Sequence, residues 1–229
     1  MHIGLIVGIG PAATDYYYRQ LISAAALAGK DLELTMAHAD TPNLLRHQAE
    51  GNVQAQVDIY LRLTERLQRA GIAQVAVTSI AGHFCIDGFK LVSPVPVIDL
   101  LEVIKLEVKQ RGLRRVGLLG TRVVMESRFY GVLDGVEVVA PVRDLMEVHE
   151  AYVAMASAGV ATPAHREVFM RAGMSLTRTD GCESILLAGT DLALVFGRGV
   201  EPGFDILDCA GVHAAAIAKA AMTDQVAAR

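Results

Sequence analysis

The sequence predicts an α/β protein of two pseudo-symmetric halves, each a parallel sheet flanked by helices, with a site in the cleft between them. Three observations carry this expectation. Short apolar runs of strand type alternate with longer segments of helical period along the 229 residues, which favours parallel strands joined by right-handed crossovers. Apolar residues make up 52% of the chain while aromatics supply 5% and Trp is absent, so the core is Ala, Val, Leu and Ile, as in a sheet buried on both faces. The turns also repeat: Gly8-Ile9-Gly10 after the first run is echoed by Gly120-Thr121 midway, and Thr78-Ser79 by Gly189-Thr190.

Residues 2–7 read as a strand, Gly8-Ile9-Gly10-Pro11 as a turn and 14–28 as a helix. Such a strand, turn and helix start presents unpaired backbone N–H groups to an anion, and Thr14 suits its capping. A strand at 32–38 leads into an expected polar loop through Asp40, Thr41, Pro42, Asn43 and Gln48. Val53, Val57, Tyr60, Leu61 and Leu67 recur at helical spacing, so 53–69 is an amphipathic helix that Gly71 ends. Residues 75–78 form a short strand closed by Ser79, with a helix from near Ala81, a short strand at 96–98 and a helix at 100–110 that stops at Gly112. The second half reads as a strand at 116–119, a helix at 125–133, a strand at 136–139, helices at 145–158 and 163–177, strands at 185–187 and 206–207, and a last helix at 209–222. The expected division is 1–98 and 99–207, with 208–229 packing back on the first half. In such folds ligands lie outside the carboxyl ends of the strands, where the four echoing turns fall.

A formal net charge of −4 offers no broad basic surface, so nucleic acid is not an expected partner. The opening apolar run lacks a basic flank and a cleavage site, and no apolar stretch reaches membrane-spanning length. Cys85, Cys182 and Cys209 are odd in number, widely spaced and without a CxxC pair, which argues against a disulfide framework and a zinc site. A reducing, cytoplasmic setting and no membrane association are expected.

The order of motifs resembles the aspartate/glutamate racemase superfamily over essentially the whole chain. The segment from Ile3 to Thr14 with Tyr17-Tyr18 is similar to that family's glycine-rich start. Val116-Gly117-Leu118-Leu119-Gly120-Thr121-Arg122 with Met125-Glu126 and Phe129-Tyr130 matches its middle, and Asp208 and His213 its C-terminal Asp and Ile-His-Ala pattern. The resemblance implies two Rossmann-like halves, a homodimer, and proton transfer at the α-carbon of a small carboxylate without pyridoxal phosphate, metal or other cofactor. It also implies two thiols, one per half, working on opposite faces of the substrate.

At those two positions the sequence departs from the pattern. The family's Cys-Asn-Thr aligns with Ser79-Ile80-Ala81, and its Gly-Cys-Thr-Glu with Ala188-Gly189-Thr190-Asp191. Ser79, His83 and Asp191 are therefore the candidate catalytic groups. Gly8, Ile9, Gly10, Thr14, Gln48, Ile80, Ala81, Thr121, Gly189 and Thr190 are the candidate substrate contacts. The bland reading beside these is that the glycines serve the turn, Ser79, Thr190 and Asp191 cap helices, and the cysteines pack as small apolar residues. His38 is a second imidazole of interest, one of Tyr16 to Tyr18 is expected near the site mouth, and Glu147 falls near a lysine of some relatives. The expected activity is a cofactor-independent racemase or isomerase acting on an amino acid or dicarboxylate. The alternatives are a one-sided decarboxylase or lyase, for which Gly189 leaves room for a larger substituent, and a non-catalytic carboxylate-binding protein.

Overall fold

The computed structural model describes residues 1–8, 10–197 and 199–223. Ile9, a candidate contact, lies outside the described residues.

Two parallel sheets organise the chain. The first has the order β2-β1-β3, built from β1 (Ile3–Val7), β2 (Leu34–His38) and β3 (Gln74–Val77). The second has the order β5-β4-β6-β7, built from β4 (Arg115–Gly120), β5 (Glu137–Val139), β6 (Ser184–Ala188) and β7 (Ile206–Asp208). β1 runs parallel to both neighbours, with Ile6 facing Ala37 on one side and Val77 on the other, and β4 likewise sets Leu118 against Leu186. The central strands β1 and β6 are buried at every residue. Continuous apolar runs are what a sheet covered on both faces demands.

Helix α1 (Pro11–Ala28) starts earlier than its period suggested, with Pro11 in its first turn and Gly10 as N-cap, and ends on left-handed Gly29. The loop expected after β2 is instead helix α2 (Thr41–Glu50). Asp40 caps it by accepting from the Asn43 amide, Pro42 sits in the first turn, where it lacks only an N–H that would be unpaired anyway, and Gly51 ends it at φ 65°. Helix α3 (Val53–Arg69) packs Val57, Tyr60, Leu63 and Leu67 against the first sheet. A 3-10 turn (Ala81–Cys85) leads into α4 (Ile86–Val92), and α5 (Leu100–Gln110) closes the segment. The strand expected at 96–98 reduces to one bridge, Val75 to Val97.

The helix expected at 125–133 is interrupted. Helix α6 (Arg122–Glu126) stops early, and Arg128, Phe129 and Tyr130 all take positive φ, 51°, 58° and 58°. L-residues adopt that region at a cost of roughly 1–2 kcal/mol each, so tertiary contacts hold this turn. Helices α7 (Leu145–Ala158), α8 (Pro163–Arg178) and the short α9 (Ala193–Phe196) cover the second sheet. The last helix, α10 (Cys209–Met222), follows the second sheet in sequence but packs on the first: Ala210, Ala214, Ile217, Ala218 and Ala221 share a core with Ile3, Leu5, Tyr17 and Leu21. Its alanine-rich face permits a close approach to α1.

Candidate functional site

The C-terminal ends of β1, β2, β3, β4 and β6 converge on a cavity of about 420 Å³, lined from the first sheet by Gly8, Gly10, His38 and Ser79, and from the second by Thr121, Tyr152 and Asp191. A roomier groove of about 690 Å³ runs along the outer surface of α1. It lies away from the strand ends where the repeated motifs fall, so the smaller cavity is the chemical candidate.

On the first wall, close approach explains the glycines. Gly8 has φ 101° and a Cβ there would lie 2.2 Å from His38 Nδ1; Gly10 has φ 147° and its Cβ would lie 2.5 Å from Asp191 Oδ2. Several donors of the turn are already engaged. The Gly8 amide donates to Thr14 Oγ1 at 3.1 Å, the Thr14 hydroxyl donates to the Gly10 carbonyl at 3.1 Å, and the Ala13 amide donates to Asp191 Oδ1 at 3.0 Å. Thr14 therefore staples its own turn and does not line the cavity. The Thr41 hydroxyl donates to the Gly8 carbonyl at 2.6 Å, tying α2 to the end of β1.

On the second wall, Asp191 is fully buried, with Oδ1 on the Ala13 amide and Oδ2 accepting from the Tyr152 hydroxyl at 3.1 Å. Burial pushes its pKa up to about 6, against the opposing pull of the Ala13 and Tyr152 hydrogen bonds. Tyr152 is itself buried, which with the charge of Asp191 holds its phenol protonated well above the usual range. Thr121 Oγ1, at the end of β4, is buried and has no partner among the described residues. A buried hydroxyl left unpaired costs roughly 1–3 kcal/mol, and this one lies in the cavity lining.

Gly189 does not leave the vacancy expected of it. A Cβ there would lie 2.2 Å from the Tyr152 ring. The aromatic side chain from α7 fills the space, so the argument for a larger substituent at this point fails.

Behind Ser79 lies a polar layer. Ser79 Oγ accepts from the Gly82 amide at 3.2 Å, and the Ser79 carbonyl accepts from His83 Nδ1 at 2.6 Å. A carbonyl can only accept, so the proton of neutral His83 is on Nδ1 and its buried Nε2 is left without a partner among the described residues. Burial lowers the His83 pKa, and the ring is absent from the cavity lining. It holds the Ser79 backbone from behind. His213 stacks edge-on against it, donates from Nε2 to the Ile98 carbonyl at 3.0 Å and takes the Tyr17 hydroxyl at Nδ1 at 2.9 Å. Burial brings the His213 pKa down to about 3.

Gln48 and Ile80 also stand behind the lining. Gln48 Nε2 donates to the Ala81 carbonyl at 2.8 Å, and the Tyr130 hydroxyl reaches the carbonyls of Ile80 and Ala81 at 3.1 and 3.2 Å. The left-handed turn from the second half thus fastens the Ser79 loop of the first. Thr190 is buried outside the lining. Glu147 pairs with Arg171 on the surface. None of Tyr16, Tyr17 and Tyr18 lines the cavity; Tyr16 donates to Asp208 at 2.5 Å.

The thiols are held protonated. Burial pushes Cys85 up to about 12 and Cys182 up to about 11, and raises Cys209 with help from the charge of Asp208. Among the described residues, no group of three or more His, Cys, Asp or Glu side chains is disposed to hold a metal ion, and no helix is long and apolar enough to cross a membrane.

Of the residues singled out by sequence, Gly8, Gly10, Ser79, Ala81, Thr121 and Asp191 share the cavity lining, whereas Thr14, Gln48, Ile80, His83, Gly189 and Thr190 do not. Tyr152 was missed. The signal for it was indirect: a side-chain position emptied to glycine at 189, with a lone aromatic in helix α7.

A family model described as Asp/Glu/Hydantoin racemase matches residues 6–217. Among solved structures, a Yersinia pestis protein provisionally described as an Asp/Glu racemase superposes with a TM-score of 0.83 at 26% identity, over 97% of this chain and 100% of the other. An aspartate racemase homologue from Pyrococcus horikoshii gives 0.79 at 24% identity, over 97% and 99% of the two chains. Glutamate racemase from Francisella tularensis in complex with D-glutamate shares the fold, at a TM-score of 0.69 and 14% identity over 96% and 80%.

Proposed function

The chain belongs to the Asp/Glu/hydantoin racemase family, and on that premise we propose that it is an isomerase-type enzyme moving a proton at the α-carbon of a small carboxylate-bearing molecule, with Asp191 as one acid/base group and His38 as the other. The observation that carries this reading is the Asp191 carboxyl, held in the cavity wall with its pKa up to about 6. A base is most useful when its pKa lies near the working pH, and an ordinary aspartate is too weak to take a carbon-bound proton.

In one direction the Asp191 carboxylate accepts the α-proton, and the electron pair moves into the substrate carboxylate as an enediolate. The Thr121 hydroxyl donates to the oxygen on which charge develops. His38, supplied from the opposite sheet, returns a proton to the other face. Ser79 contributes a hydroxyl to the lining and not a nucleophile: its Oγ is met by the Gly82 amide, and among the described residues no base is hydrogen-bonded to it. The cofactor-free reaction and a homodimeric assembly are carried over from the family resemblance.

The test is deuterium incorporation at Cα in heavy water, followed by NMR for both enantiomers. Asp191→Asn should lower exchange by about two orders of magnitude or more, whereas His38→Gln should leave exchange of one enantiomer and stop its conversion to the other. Absence of exchange by the wild-type protein across the α-amino acids would leave only a binding role.

A further inference from the structure

We propose that the cavity selects molecules with a single carboxylate and an uncharged remainder, such as amino acids with neutral side chains, and rejects dicarboxylates. This rests on the preceding section only for which cavity is the site.

The charges of the lining point one way. Asp40 and Asp191 are both present, and no lysine or arginine is among the described residues that line the cavity. Two helix starts at the cavity are met by these same carboxylates. Asp191 takes the Ala13 amide in the first turn of α1, and Asp40 takes the Asn43 amide in the first turn of α2. A second ligand carboxylate would enter a space already negative, with neither a cation nor either of these amides to receive it. One carboxylate has a place, because Thr121 belongs to the lining and its buried hydroxyl has no partner among the described residues. The remainder meets Pro42 and Leu45 of α2 and Val153 and Ala156 of α7, an apolar surface that suits a side chain without charge.

Two pairs of ligands isolate the charge: asparagine against aspartate, and glutamine against glutamate, matched in size and measured by titration calorimetry at pH 7.5 in both enantiomers. The amides should bind at least about tenfold more tightly than the acids. Thr121→Val should weaken the amides by about tenfold, and the double substitution Asp40→Asn with Asp191→Asn should bring each acid to within about threefold of its amide. Equal or tighter binding of aspartate or glutamate overturns the proposal, as does failure of both amides to bind. Selective amide binding without Cα exchange would remove the proposed reaction and leave the charge selection standing. Exchange that prefers aspartate over asparagine would do the reverse.

Discussion

The Asp191 carboxylate lies 3.0 Å from the Ala13 amide, 178 residues earlier in the chain. A side chain of the second half thereby caps the first helix of the first half, at an N-terminus whose own N-cap is a glycine with nothing to offer. The group proposed for chemistry is also a structural bridge, and its protonation links the two roles.

Asp191→Asn should stabilise the protein at pH 8 while removing activity. The folded pKa of Asp191 is raised to about 6, above its unfolded value, so the folded state binds the proton more tightly and stability falls as pH rises through that interval. The neutral amide escapes this cost and can keep the Ala13 bond. The expected gain is about 1–3 kcal/mol at pH 8, shrinking toward nothing near pH 4. Urea unfolding of both proteins at the two pH values measures it; an equal difference at both would refute the linkage.

Adding a side chain at position 189 should be tolerated only when Tyr152 is shortened. Gly189→Ala alone drives a methyl into the ring 2.2 Å away, an overpacking cost of about 1–3 kcal/mol. Tyr152→Ala alone opens a cavity and strips a partner from Asp191. The double substitution should be more stable than the sum of the two single effects, a coupling that a double-mutant cycle in urea would quantify. The same steric fact means that restoring a family-like thiol at 189 requires removing the ring first.

Tyr130→Phe should loosen the Ser79 loop. Its hydroxyl reaches the Ile80 and Ala81 carbonyls from a turn of three successive left-handed residues. Loss of that bond should cost about 1 kcal/mol and raise amide exchange at residues 79–82. Gln48→Leu removes a second donor to the Ala81 carbonyl, so the two effects should be non-additive. Unchanged exchange in the double variant would show that the turn fastens nothing.

All three cysteines should resist a disulfide reagent in the native protein and react only after denaturation. They are buried, and Cys85 and Cys182 are held protonated up to about 12 and 11. A thiol must ionise to attack. Rapid native labelling of Cys209 would overturn this expectation.

The parallel strands and the convergence of the turns were legible because buried parallel strands carry continuous apolar runs, as in Ile3–Val7 and Ser184–Ala188. Helix α2 was not legible. Its mean polarity hides the buried Leu44 and His47, and Pro42 reads as a breaker unless its place in a first turn is known. The end of α6 was equally obscure, since no glycine marks the left-handed residues from Arg128 to Tyr130. At the site, Ser79, Thr121 and Asp191 follow their strands directly and could be placed from sequence. Tyr152 reaches the lining from a helix, and His83 leaves it because the 3-10 turn directs its ring to the Ser79 carbonyl. Those placements depend on side-chain direction, which local sequence does not encode.

Helix α10 has a consequence for the order in which the molecule can be built. Ile3, Leu5, Tyr17 and Leu21 are synthesised well before the alanines and Ile217 of Cys209–Met222 that share a core with them. On the ribosome the first sheet therefore waits, with α1 alone on that face, until α10 has emerged. A nascent chain halted between β7 and α10 would carry a first half still lacking one of its covering helices, the state in which a chaperone that recognises greasy surfaces has most to hold.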